Sequence, residues 1–115
     1  MLKQRTEILA QGKVISKEVR DFVIDVIDCM HEQYPEVEDE KAVMFITHLA
    51  MAAERVSKGD IAGHIDARLF AEAYASEGYD KALEFMGKIK ELTFVPFPDS
   101  EEEFLILHLC NLFCP

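Results

Sequence analysis

One stretch, MFITHLAMAAER at positions 44–55, constrains the fold most, because its apolar residues repeat with the period of an α-helix. At about 100° per residue, one stripe gathers Ala42, Phe45, Ile46, Leu49, Ala53 and Val56. The flank beside this stripe holds Met44, His48, Met51, Ala52 and Arg55. The pattern predicts a helix that buries one face and presents an imidazole and a guanidinium on a second, half-apolar surface.

The same periodicity recurs along the chain and predicts five helices. They run from Ser16 to before Pro35, from about Asp39 to Lys58, from near His64 to Ser76, from Tyr79 to before Thr93, and through Phe104–Phe113. In the third and fourth helices the residues expected to face inward are Ile65, Leu69, Phe70, Ala73 and Tyr74, then Tyr79, Ala82, Leu83, Met86 and Ile89. Neither a period-2 alternation nor a hairpin signal occurs.

Two helix starts carry capping signals. Ser16 is the expected N-cap of the first helix, and Ser100 with Glu103 has the spacing of a capping box before the last. The last helix is apolar almost all the way round, so it is expected either at the centre of the bundle or covered by another subunit. Residues 1–15 predict a short helix or an arm. The fold prediction is an all-α, compact five-helix bundle in one domain, 16–115.

Composition narrows the function. The chain has a formal net charge of −10, and its 12 basic residues form no cluster, which argues against direct nucleic-acid binding. An acidic balance suits a basic protein partner. The first residues contain no apolar run long enough for a signal peptide, and no later run is long enough to span a membrane, so we expect a soluble, cytoplasmic protein. The three cysteines, Cys29, Cys110 and Cys114, are expected to be small buried hydrophobic residues.

The four histidines differ in what they suggest. We expect His31 and His64 to be surface or capping residues. His108 could be a core histidine, whereas His48, on the flank with Arg55, could equally be an ordinary surface residue or a site. The sequence contains no Glu-x-x-His, zincin, phosphate-loop or nucleophile-elbow motif, so we expect no metal, no cofactor, no small-molecule substrate and no enzymatic activity.

Two stretches resemble the histidine motifs of the phosphotransferase-system regulation domain (PRD) family. Phe45–Arg55 contains His-Leu, an apolar run and Glu-Arg, as in the first motif. Glu101–Leu109 contains an acidic residue, an aromatic residue and an apolar run leading to His-Leu, as in the second motif. The resemblance covers about residues 16–113, and two motifs in the right order are more specific than either alone.

The resemblance implies a helical regulator that is phosphorylated on histidine by a sugar phosphotransferase component, either HPr or a IIB component. His48 and His108 would be the phosphoacceptors, Arg55 would lie beside the phosphoryl group, and the response would act through a homodimer or a partner protein. The chain departs from the family pattern at Thr47, Ser100 and Glu103. The alternative is therefore a helical interaction or assembly subunit that keeps the PRD fold without being phosphorylated.

Overall fold

The structure is a computed structural model that describes residues 1–60 and 67–114, without the side chains of Ala67, Leu69 and Phe70. These described residues contain six α-helices. They are α1 (Leu2–Gln11), α2 (Lys17–Gln33), α3 (Asp39–Ser57), α4 (Ala67–Tyr74), α5 (Tyr79–Leu92) and α6 (Asp99–Leu112). No strand occurs in these residues, which confirms the all-α prediction. The predicted number of five helices is wrong, because the N-terminal segment forms a helix as well. Nor does any helix within 1–60 and 67–114 combine the length and the apolar character needed to cross a lipid bilayer.

The additional helix, α1, packs against α2 and α3. Its weak sequence signal has a physical cause: one of its two fully buried residues is polar. Thr6 is buried beside Leu2, and its hydroxyl donates a hydrogen bond to the Leu2 carbonyl oxygen at 3.0 Å. In the next turn, Ile8 is instead 66 % exposed. A buried threonine and an exposed isoleucine together break the apolar repeat.

The helices α2 and α3 follow the sequence prediction closely. Ser16 is the N-cap of α2, where its hydroxyl accepts a hydrogen bond from the Val19 backbone N–H at 3.2 Å. All the apolar residues that repeat at helical spacing in α2 are buried: Val19, Phe22, Val23, Val26, Ile27 and Met30. The α3 stripe is buried except for Val56, which is half-buried. Ala52, predicted on the α3 flank, is also buried, because α3 contacts α1, α2 and α6 rather than one neighbour.

The last helix, α6, packs against α3, α4 and α5. Packing within the chain therefore accounts for most of its apolar surface. The predicted capping box is wrong: α6 begins at Asp99 with Pro98 as its N-cap, so Ser100 lies inside the first turn and is buried. The Pro98 carbonyl oxygen accepts hydrogen bonds from the backbone N–H groups of Glu101 and Glu102, both at 3.0 Å.

Two inward-facing predictions for α4 and α5 are also wrong. Tyr74 is 61 % exposed and stacks on Tyr79 with ring centroids 4.5 Å apart, and Leu83 is exposed as well. Phe85 takes the buried position on α5, because its ring joins an aromatic cluster at the centre of the bundle. This cluster consists of Tyr34, Phe45, Phe85 and Phe113. His64 and Ile65 lie outside the described residues, as do the side chains of Leu69 and Phe70.

The cysteines do not share one environment, contrary to the sequence prediction. Cys110 is buried, and its thiol donates to the Ala73 carbonyl oxygen at 3.6 Å. Cys29 is half-buried and Cys114 is exposed beyond the end of α6. The predicted burial therefore holds for one of the three.

Candidate functional site

The packing of α3 against α6 brings His48 and His108 together. Their imidazole rings stack, with centroids 4.1 Å apart and planes inclined by only 16°. The two sequence motifs, distant along the chain, thus meet in one site. Both side chains are half-buried, and no hydrogen bond to either imidazole is found among the described residues. A structural histidine in a core would be buried and hydrogen bonded, and neither ring fits that description.

The stacked rings line a cavity of about 440 Å³, whose other walls are Ala52, Arg55, Glu101, Phe104 and Leu105. Burial, and after it the neighbouring His48, lowers the pKa of His108 below its ordinary value of 6.5. A lowered pKa increases the fraction of neutral ring at physiological pH. The neutral imidazole has a free lone pair. The form of His108 that can act as a nucleophile is therefore the more populated one.

Arg55 lies on the wall of the same cavity in a two-point ion pair with Glu101. Its Nε and Nη2 donate to Oε2 and Oε1 of the carboxylate at 3.3 and 3.0 Å. The Glu101 side chain is 0 % exposed, whereas that of Arg55 is 42 % exposed. The buried carboxylate therefore fixes one edge of the guanidinium, while part of the group stays open to solvent and to the cavity.

The two pairs of residues are related by a common spacing. Arg55 follows His48 by seven residues, and His108 follows Glu101 by seven. Seven residues are about two turns, or about 10 Å, of an α-helix. Since His48 meets His108 and Arg55 meets Glu101, α3 and α6 run antiparallel along this face. The sequence interpretation did not assign a role to Glu101, although this matched spacing was available to identify it.

The remaining histidine within the described residues lies elsewhere. His31, expected at the surface, contacts Asp39 through Nε2 at 2.8 Å where α2 leads into α3, and it does not line the cavity. Within residues 1–60 and 67–114 there is no group of three or more histidine, cysteine or acidic side chains placed to hold a metal ion.

The antiparallel helices α3 and α6 thus present two stacked histidines, one from each sequence motif, at one cavity. The family model of the PRD domain matches residues 20–112, so the chain belongs to the PRD family. This family is regulatory, not catalytic, and its role is connected with the sugar phosphotransferase system. No curated protein and no solved structure was found to match the chain.

Proposed function

We propose that the protein is a phosphotransferase-responsive regulator that accepts a phosphoryl group on His48 or His108 from HPr or a IIB component. The observation that carries the proposal is the stacking of the two motif histidines, half-exposed, at a cavity that also contains Arg55. A phosphocarrier protein must reach a ring nitrogen, and both rings lie where a docked protein can reach them. The protein acts as a substrate and a switch, not as an enzyme.

Arg55 has a defined part in this proposal. A phosphoryl group adds a charge of about −1.5 to −2 and three acceptor oxygens, which a guanidinium binds well. The buried Glu101 holds Arg55 at the cavity before transfer. After transfer the phosphoryl group competes with Glu101 for the same donors. The pairing of Arg55 is therefore a contact between α3 and α6 that phosphorylation changes.

The regulatory output is proposed to pass through dimer or partner contacts on the α1–α3 side. Met44, one turn before His48, is 63 % exposed, and Ile8 is 66 % exposed on α1. Arg5, Ile8, Leu9 and Thr47 line a groove of about 390 Å³ on this side. Exposed apolar residues next to a charge-changing site form a surface whose association responds to phosphorylation.

The test is intact-mass measurement after incubation with phosphoenolpyruvate, enzyme I and HPr, with and without IIB components. Wild type is expected to gain an acid-labile phosphoryl adduct, and the double variant His48→Ala/His108→Ala is expected to gain none. His31→Ala is the matched control, since His31 lies outside the cavity, and it should behave as wild type. Absence of an adduct with every donor would favour the assembly-subunit alternative, which the residues at Thr47, Ser100 and Glu103 also favour.

A further inference from the structure

We propose that His48 and His108 form one phosphoacceptor site that holds a single phosphoryl group at a time, on either ring, rather than two sites that fill independently. This inference rests on the proposed function, since it assumes transfer to histidine. Its starting point is geometric: the rings are 4.1 Å apart and nearly parallel. A regulator that carried two independent marks would need two separated rings, each with its own counter-charge.

The available space is shared. A phosphoryl group bonded to a ring nitrogen lies in the plane of that ring, so groups on both rings would extend in planes separated by about the stacking distance. Both histidines line the same cavity of about 440 Å³, together with the apolar side chains of Ala52, Phe104 and Leu105. Two phosphoryl groups directed into this cavity would therefore lie close to each other rather than in separate sites.

The described charged side chains of the site offset only part of the charge of one phosphoryl group. Among the described residues that line the cavity, Arg55 and Glu101 are the charged ones, and their formal charges cancel. One phosphoryl group brings a charge of about −1.5 to −2, and two bring about −3 to −4, against one guanidinium. Like charges at this separation in a partly buried site repel strongly. Among the described lining residues, a second group would therefore share the Arg55 guanidinium with the first.

The chemistry of transfer acts in the same direction. In the first transfer a ring nitrogen uses its lone pair to form the P–N bond, while the bond from phosphorus to the carrier's nitrogen or sulfur breaks and its electron pair returns to the carrier. The phosphoryl dianion then favours protonation of the stacked ring. An imidazolium has no lone pair with which to attack phosphorus, and its charge partly offsets that of the group already present. The first transfer thus removes the nucleophile needed for a second.

A regulatory consequence follows from single occupancy. Two carrier proteins, one directed to His48 and one to His108, would compete for one site. The protein would reach the same singly phosphorylated state whether one carrier or both carriers were phosphorylated.

The experiment counts phosphoryl groups by intact mass on the full chain at saturating enzyme I and HPr. The variants are His48→Ala, His108→Ala and the double variant, with His31→Ala as the control. We expect one group on wild type and on each single variant, and none on the double variant. Doubly modified wild type is expected to remain below about one tenth of the singly modified species. Circular dichroism establishes that each variant is folded.

The outcomes separate the two proposals. Two groups on wild type at saturation would overturn single occupancy and leave the proposed function standing. Modification of only one of the two single variants would also overturn it, since the rings would not be alternative acceptors. No adduct on wild type with any donor would overturn the proposed function itself, and single occupancy with it.

Discussion

At the scale of single residues, Glu101 explains how the site is built. A carboxylate with no solvent exposure is costly unless it is paired, and its partner Arg55 comes from the facing helix. The pair therefore fixes the position of the guanidinium beside the histidines. Sequence periodicity placed His48 and Arg55 on one flank correctly. It could not show that Glu101 is buried, because acidic residues in the first turn of a helix are ordinarily solvated there.

Replacing Arg55 should destabilise the fold. Arg55→Ala removes two hydrogen bonds from a buried carboxylate, and we expect it to lower the free energy of unfolding by about 1–3 kcal/mol. Urea unfolding measures the change. Lys3→Ala is the control, since Lys3 pairs with Asp28 at the surface and its loss should cost about 0.5 kcal/mol or less. Equal effects of the two substitutions would contradict the structural role of the buried pair.

The pKa of His108 predicts a pH dependence. Burial, and then His48, lowers this pKa below 6.5 in the folded protein, so the unfolded chain takes up the proton first as pH falls. The contribution of neutral His108 to stability is therefore complete above about pH 6.5 and is lost as pH falls towards the folded-state pKa. Glu54 interferes little, because hydrogen bonding to Lys58 lowers its pKa from 4.5 and its contribution is lost only in stronger acid.

Thermal unfolding between about pH 7.5 and pH 5 tests this expectation. As pH falls, the melting temperature of wild type should decrease more than that of His108→Gln. The difference between the two should therefore narrow or change sign in favour of the variant. His31→Gln serves as a control for loss of a histidine outside the site. A difference that stays constant across the range would contradict a lowered pKa at His108.

At the scale of helices, prediction succeeded where the apolar repeat alone decides burial and failed where neighbouring elements decide it. The α2 stripe from Val19 to Met30 is buried as expected. On α5, by contrast, Phe85 rather than Leu83 is buried, because the aromatic cluster lies on that side. Apolar periodicity defines the buried face of a helix only approximately. The position of the partner helix decides which of two nearby apolar residues is buried.

The start of α5 provides a test at this scale. A Cβ added at Gly78 would lie 2.6 Å from the Cys110 carbonyl oxygen and 3.0 Å from the Phe113 carbonyl carbon, so α5 and the end of α6 would have to separate. We expect Gly78→Ala to lower the free energy of unfolding by about 1–3 kcal/mol. Urea unfolding again provides the measurement.

Gly87 is the matched control within the same helix. A Cβ there meets nothing within 4 Å, so Gly87→Ala should raise stability by about 0.5–1 kcal/mol through helix propensity alone. If Gly78→Ala stabilised the protein to the same extent, the close approach of the two helices would be wrong.

At the scale of the whole molecule, all six helices form one body. The radius of gyration is 13.4 Å, and a single folded domain of this length is expected near 13 Å. Packing of α6 against α3, α4 and α5 accounts for most of the apolar surface that the sequence analysis assigned either to the bundle centre or to another subunit. The α1–α3 side, with Ile8 and Met44, is therefore the surface proposed for association.

Association through this side has its own test. If the protein forms a homodimer there, Met44→Glu should shift it towards monomer in sedimentation velocity at micromolar concentration, because it places a charge in an apolar contact. Leu83→Glu is the matched control, an exposed apolar residue on α5. Since each chain carries a formal charge of −10, added salt should strengthen the dimer. A wild type that is monomeric under these conditions would contradict the proposal.

The most direct measurement of the central claim is the NMR spectrum of the imidazole nitrogens in ¹⁵N-labelled protein, recorded before and after incubation with phosphoenolpyruvate, enzyme I and HPr or a IIB component. We predict large shifts of a ring nitrogen in His48 or His108, with phosphorus coupling, while His31 keeps its signals. Unchanged signals from both rings with every donor, or a phosphorus-coupled nitrogen in His31 alone, would contradict the account.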